Sequence, residues 1–584
     1  MTSTRTTLLV LVAVMAMVVP LGTAASAQSL LPDPSVDKEV LYGELISPTA
    51  LEVAPDGRVI VTSREGQVTV WEQDGTVTRA AFLPVDAYDR QGGQFDVENC
   101  PRGEECPAGF NLAEGGIHGI LLAPDFMTSG ELYLYYTVAN SLGMEPWPPK
   151  MPNARPFCDD TAGDGCPASG NDEGIWRLSR FTMDLDANTI DLSTEVPLFE
   201  NPAEWFYCCH YGGDMEWRND GTLLLSTGDD TTSDHSSGYS PHDQRADWTF
   251  NSAALTSANP ADRRGKVLRI DIEELESGLD GPLGDGVPGD RPGIDPNPFL
   301  DDPDADPYVY AYGFRSLYRF GYSPETDHVY AGNVGPDARN PDPTRGPAAH
   351  DEIEVVPPGG GTNHGWPFCI ADNVPYNEYD FATGAAGEPF SCAGMTPAAV
   401  WYTYVPSTTS PYVQMGGGGN TALGGVAYHR PDDGALRLPE AYDDHFLWME
   451  YSRGAVWHMP IADDGSLDNS PASLNATANG IPFVLPGLSN PIDMATGPDG
   501  AVYVVESNGG WNSIAGRLTR LQCAGCTPDA ADYGDGVEIL DRPAVASVAG
   551  VDGGLASVLP TAGLLGLVLV ALGGLGVRRR RRVI

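Results

Sequence analysis

The stretch Tyr207-Cys-Cys-His-Tyr-Gly-Gly-Asp-Met-Glu-Trp-Arg-Asn-Asp-Gly-Thr-Leu-Leu-Leu-Ser-Thr-Gly-Asp-Asp230 sets a histidine and an acidic pair at the two ends of one predicted β-hairpin. Met215 and Trp217 lead into the turn Arg218-Asn-Asp-Gly221, and Thr222 to Thr227 is a short apolar, hydroxyl-rich return strand. Such a hairpin brings its open ends together, so His210 and Asp229 are expected to meet. A histidine held by a carboxylate is a general base near neutral pH. The same pair, read alone, also fits a purely structural role. The segment Asp302-Pro-Asp-Ala-Asp306 offers carboxylates to calcium, and reads more simply as a solvated acidic loop.

The elements that must position this pair recur along the chain. Six short turns, Pro55-Asp-Gly57, Pro124-Asp-Phe126, Asn219-Asp-Gly221, Pro324-Glu-Thr326, Pro431-Asp-Asp-Gly434 and Pro498-Asp-Gly500, are each followed by an apolar strand. The strands read Val59 to Thr62, Leu132 to Thr137, Leu223 to Thr227, His328 to Gly332, Phe446 to Tyr451 and Val502 to Glu506. Sixfold recurrence predicts an all-β fold, a six-bladed β-propeller with four-stranded blades. A β-sandwich array fits less well, because rim loops of a propeller grow without disturbing its blades. Three Gly/Pro/Asp-rich inserts, Asn140 to Asp172, Thr231 to Asp262 and Glu274 to Asp306, are expected to cover one mouth of the channel.

The two ends of the 584-residue chain suggest export and attachment. Arg5, the apolar run Leu8 to Leu21 and Ala25-Ser-Ala27 read as a signal peptide occupying residues 1–27. The propeller is assigned to residues 28–526, an acidic stalk of small residues to 527–558 and an anchor to 559–584. Leu559-Pro-Thr-Ala-Gly563, an apolar segment to Val577 and five arginines resemble a sortase sorting signal, with Ala562 where that pattern has threonine. A plain membrane anchor stopped by positive charge is the alternative. The formal net charge of −47 argues against a nucleic-acid partner. Ten cysteines lie mostly as near neighbours and read as loop staples in an exported chain. Adjacent Cys208 and Cys209 close a vicinal ring or bond to different partners.

Glu114-Gly-Gly-Ile-His-Gly-Ile-Leu-Leu-Ala-Pro-Asp-Phe126 followed by Leu132-Tyr-Leu-Tyr-Tyr-Thr137 resembles the early signature of the glucose/sorbosone dehydrogenase family. The Cys-Cys-His hairpin, Arg264 to Asp271, Tyr312 to Ser316, the run from Asp351 to Pro367, and Gly497 to Val504 resemble it in the same order. The resemblance covers roughly Leu41 to Arg520. It implies a six-bladed propeller that oxidises aldoses at the anomeric carbon with pyrroloquinoline quinone (PQQ) and calcium, passing electrons to a further acceptor. It aligns His210 with the catalytic base and Asp229 with the aspartate that orients it. It also aligns Arg315 and Arg453 with the quinone site, and the backbone carbonyls of Gly335 and Pro336 with calcium. Asp351 and Glu352 take either a site role or a structural one, and His118, His364 and His429 are structural or substrate-facing.

Departures from the family pattern cluster at the quinone. Ser316 stands where an asparagine follows the arginine, Ser452 where a lysine precedes an Arg-Gly pair, and Asn490 and Ile492 where two basic residues hold the quinone carboxylates. Each lost charge-assisted hydrogen bond is worth about 1.5–3 kcal/mol. An exported quinoprotein-type sugar dehydrogenase is therefore weighed against a catalytically silent surface propeller that binds a glycan or protein ligand.

Overall fold

The computed structural model describes residues 34–85, 88–89, 93–94, 114–138, 173–204, 210–231, 235–245, 248, 251–277, 284–289, 291–404, 411–412, 415, 417–470, 485–510 and 513–527. The expected signal peptide, Asn140 to Asp172 insert, Cys208-Cys209 pair and most of the stalk and anchor lie outside the described residues. So do Cys100, Cys106, Cys158 and Cys166. Among the described residues, no helix is long and apolar enough to cross a membrane.

Six four-stranded antiparallel sheets make up the six blades. Blade 1 comprises Pro48–Val53, Val59–Ser63, Gln67–Trp71 and Val77–Phe82. Blade 2 comprises Ile117–Leu122, Glu131–Val138, Glu173–Asp184 and Thr189–Glu204. Blade 3 follows with Gly212–Trp217, Leu223–Thr227, Lys266–Ile270 and Val309–Tyr312. Blade 4 has Leu317–Ser323, His328–Asn333, Asp351–Val356 and Val400–Tyr402. Blade 5 has Ala422–Tyr428, His445–Glu450, Ala455–Pro460 and Leu485–Pro486. Blade 6 closes the ring: Pro491–Thr496, Val502–Ser507 and Ala515–Cys523 are completed by the early strand Val36–Ile46. That strand runs antiparallel from Val36 opposite Cys523 to Ile46 opposite Ala515, which leaves the ring without an open first or last blade.

Each of the six sequence turns joins the first strand of a blade to its second. The expected strands coincide with these second strands to within a residue at either end. Three of the turns close on a glycine in the left-handed region, Gly57, Gly221 and Gly500, each preceded by aspartate. Blade 4 achieves the same with Asp327 at φ 58°. First strands contact one another around the axis. A side chain on Gly119 would overlap the carbonyl of Gly213 in the next blade, so glycine sets how closely these two strands approach. Between blades the core is aliphatic and aromatic, for example Leu51, Val59, Leu447, Met449, Val504 and Leu518. On the axis, by contrast, the first strands carry Glu52, Asp214, Glu216 and Asp493 around the fully buried Arg319.

The inserts do not share one mouth. Thr231 to Asp262 connects the second and third strands of blade 3, at the end where His210 lies. Glu274 to Asp306 connects the third and fourth strands, which strand alternation places beside the turn at Gly221: Arg269 pairs with Asp220 at 2.7 Å and donates to the carbonyl of Asp295 at 2.8 Å. Disulfides join Cys369 to Cys392 and Cys523 to Cys526, two of the near-neighbour pairs expected.

Candidate active site

His210 precedes the first strand of blade 3 and Asp229 follows the second, so the register Gly212 opposite Thr227 brings them side by side. Nδ1 of His210 lies 2.8 Å from Oδ1 of Asp229. Three further donors converge on that carboxylate: the Thr231 N–H at 3.1 Å, the Thr231 hydroxyl at 2.8 Å and the Trp366 indole N–H at 2.7 Å. Asp229 is completely buried. Burial alone would push its carboxyl up, but His210, Arg315 and the Trp366 N–H outweigh it and hold the carboxyl below the usual range. Facing an acceptor-only carboxylate, Nδ1 carries the ring proton, which leaves the lone pair on Nε2. Among the described residues no hydrogen bond engages Nε2.

The backbone that holds this pair is tightly constrained. His210 occupies the left-handed region at φ 73°, its N–H donating to Glu114 at 2.6 Å, and Asp230 has φ 52°. Asp229 donates its N–H to the carbonyl of Arg315 at 2.7 Å and accepts the Thr256 hydroxyl at 2.8 Å. Positive φ at non-glycine residues costs on the order of 1–3 kcal/mol and persists where surrounding contacts enforce it. Gly228 permits the crossing, since a Cβ there would overlap the His210 carbonyl. Gly228→Ala is therefore expected to destabilise the protein by about 1–3 kcal/mol or more and to disrupt the His210–Asp229 contact. Chemical denaturation together with the histidine NMR signals would read both effects.

The residue that closes the pair arrives from elsewhere in the chain. The connection between the third and fourth strands of blade 4 runs beside blade 3, with Asn363 bridging Tyr312, and delivers Trp366 to Asp229. Asn363 to Pro367 was recognisable as a motif, but its contact was not. Glu114 opens the early motif without its contact to His210 being legible, and Thr231 was legible only as the neighbour of a motif. Asn333 gave no signal. Its side-chain oxygen accepts from the N–H groups of Arg315 and Ser316 at 3.0 and 3.1 Å, and its amide donates to Glu352 at 3.1 Å, which fixes the Arg315 backbone that in turn holds Asp229.

Arg315 belongs to this wall. Its guanidinium donates to the carbonyl of Val334 at 3.0 Å, lies 3.9 Å from Asp337 and sits 5.9 Å from the Trp366 ring centre. Arg453 is committed elsewhere: its Nε, Nη1 and Nη2 bond to the carbonyls of Gly419, Met415 and Thr403 and to the Asn420 side chain, at 2.7–3.1 Å. It braces the rim of blade 5. Ser452 bonds to Thr421, Asn490 donates to the Tyr451 carbonyl, and Ile492 is buried in the core. A three-carboxylate quinone therefore finds two matched arginines, Arg315 beside Asp229 and Arg453 with its N–H groups engaged by loop carbonyls, and neutral residues at the other matched positions. The positions matched to calcium fit better: the carbonyls of Gly335 and Pro336 accept no hydrogen bond from described residues.

Asp351 and Glu352 act as braces. Asp351 accepts the N–H groups of Gly335 at 2.9 Å and Ala422 at 2.5 Å, and burial pushes its carboxyl up to about 6. His118 is buried between Trp176 and Tyr318 with Nδ1 on the Gly212 carbonyl, and His364 is buried against Phe314 and Glu354. Both are scaffold. His429 lies at the opposite end of the propeller. In the acidic loop, Asp306 pairs with Arg263 at 2.7 Å and Asp302 caps the N–H of Asp304.

The family described as Glucose / Sorbosone dehydrogenase matches residues 45–415. An uncharacterized protein of Synechocystis sp. is 32% identical over 314 residues, 54% of this chain and 56% of that protein, so the match spans about half the length of the curated relative. Among solved structures, the PQQ-bound aldose sugar dehydrogenase of Streptomyces coelicolor is similar at 17% identity, over 84% of this chain and 99% of that one, with a TM-score of 0.47. The soluble aldose sugar dehydrogenase of Escherichia coli in its apo form is similar at 17% identity, over 84% and 99%, with a TM-score of 0.49.

Proposed function

This chain belongs to the glucose/sorbosone dehydrogenase family, and from that premise we propose that it oxidises a hydroxyl of an aldose or related sugar with His210 as the base. The observation that carries the reading is the Nδ1–Asp229 bond inside a donor-only shell, which leaves Nε2 as the basic atom. A C–H bond gives up hydride readily only as the adjacent hydroxyl loses its proton, so a base at that hydroxyl is the protein's share of the chemistry. Asp229 fixes the ring and stabilises the imidazolium that forms. PQQ, the acceptor that the family resemblance implies, would take the hydride when bound with calcium at Gly335 and Pro336. The positions expected to grip its carboxylates are neutral at Ser316, Ser452, Asn490 and Ile492, and the Arg453 guanidinium is engaged by loop carbonyls.

That same departure favours the second reading, a silent propeller that binds a glycan or protein ligand. Reconstituting the purified full-length chain with PQQ and calcium and following dye reduction across an aldose panel separates the two. The dehydrogenase reading expects sugar-dependent reduction that requires quinone and is impaired in Asp229→Asn. Absent quinone uptake and absent reduction in the wild type would sink it, and glycan binding measured by calorimetry would then support the silent propeller.

A further inference from the structure

A second cluster of chemically capable side chains lies at the turn end of the molecule, away from His210. Glu325 belongs to the turn of blade 4, His429 follows the first strand of blade 5, and Asp444 precedes that blade's second strand. One ligand atom from each lies within 4.8 Å of the others. Nδ1 of His429 is 2.8 Å from Oδ1 of Asp444 and 3.5 Å from Oε2 of Glu325. Nε2 is 2.8 Å from the Ser323 hydroxyl.

We propose that Glu325, His429 and Asp444 bind a first-row divalent cation of the zinc class and staple blade 4 to blade 5. Ligands about 2.1 Å from a common metal, at angles between octahedral and tetrahedral, lie about 3.0–3.4 Å apart, and the two nitrogen–oxygen separations bracket that range. The Ser323 hydroxyl, 2.8 Å from Nε2, can accept an Nε2–H once a cation takes the place of the proton on Nδ1, the outer-shell arrangement usual for a ligating histidine. One imidazole and two carboxylates suit zinc, cobalt or manganese, with water completing the coordination, and select against calcium through the nitrogen ligand. The three ligands come from separately anchored turns. Asp327, two residues after Glu325, accepts from Arg218 and from the Tyr322 hydroxyl at 2.8 Å each, and the Asp444 carbonyl accepts the Ile461 N–H at 2.7 Å. The backbone of both turns is thereby fixed, and binding has only the exposed Glu325 and Asp444 side chains to order.

Cobalt(II) is the probe, titrated into the chelator-treated full-length chain in excess calcium so that oxygen-only sites are filled. The expected result is one Co²⁺ per chain with visible d–d absorption, displaced by Zn²⁺. The absorption should be lost in His429→Ala and in His429→Gln, with affinity weakened about tenfold or more in Glu325→Gln and Asp444→Asn. Zn²⁺ should raise the Tm of the wild type and leave that of His429→Gln unchanged, which separates a staple from incidental binding. Absorption missing from the wild type, or unchanged in both His429 variants, overturns the proposal and leaves His429 as a proton-bearing partner of Asp444.

Discussion

His210→Ala is expected to lower sugar-dependent dye reduction by about 10²–10⁴-fold while the propeller stays folded. The loss should fall on kcat, because Nε2 acts on the hydroxyl proton in the transition state, and unchanged turnover in this variant would remove His210 from the chemistry. The pair's dependence on charge gives the result a second check. Among the described residues, all four polar contacts of the Asp229 carboxylate are donors. An asparagine there turns its NH₂ toward donors and leaves buried groups unpaired, at about 1–3 kcal/mol. It also favours the tautomer that puts the ring proton on Nε2, where the base should be. Because the folded Asp229 carboxyl lies below its unfolded value, its contribution is complete above the ordinary carboxylate range near pH 4. It is lost as pH falls through the depressed value. Alkaline pH leaves it intact.

The hairpin and the blade turns were legible because both are local: a Pro-Asp-Gly turn and an alternating strand carry their geometry in a few consecutive residues. His210 and Asp229 are separated by 19 positions but joined by one such turn, so their meeting followed from register alone. Trp366 is 137 positions from Asp229 and reaches it through a connection that leaves its own blade, which no periodicity encodes. The committed state of Arg453 was hidden for a related reason. An arginine in a motif reads as a free cation until the carbonyls of the neighbouring loop are placed around it. The placement of the Glu274 to Asp306 insert needed strand order rather than composition. The acidic axis was missed because Glu52, Asp214, Glu216 and Asp493 look like ordinary outward positions on alternating strands until six first strands are turned toward one another.

That axis carries the second large effect. Arg319→Met is expected to destabilise the protein by about 3–5 kcal/mol at pH 8, because removing one partner of a buried charge group leaves the others uncompensated. The Arg319 side chain is 1% exposed, with Nε 3.1 Å from Asp493 and Nη1 3.8 Å from Asp214. It also donates to the carbonyls of Tyr318 and Thr49. Burial pushes Asp214 up to about 7 and Glu52 up to about 8; Arg319 restrains the rise at Asp214, while the charges of Asp214 and Asp493 add to it at Glu52. Carboxyls whose folded values exceed their unfolded ones contribute stability that is complete below about pH 4 and declines as pH climbs to the folded values of about 7–8. Without Arg319 the carboxyls of Asp214 and Asp493, which it holds down, rise further, so the penalty must grow with pH. At pH 5 Asp214 and Glu52 are largely neutral, so the variant leaves fewer uncompensated charges and loses mainly packing and two carbonyl hydrogen bonds. The stability difference between variant and wild type, taken from denaturant midpoints, should therefore be several-fold smaller at pH 5 than at pH 8. A difference that does not change with pH would mean that Arg319 fills space on the axis without balancing its charge.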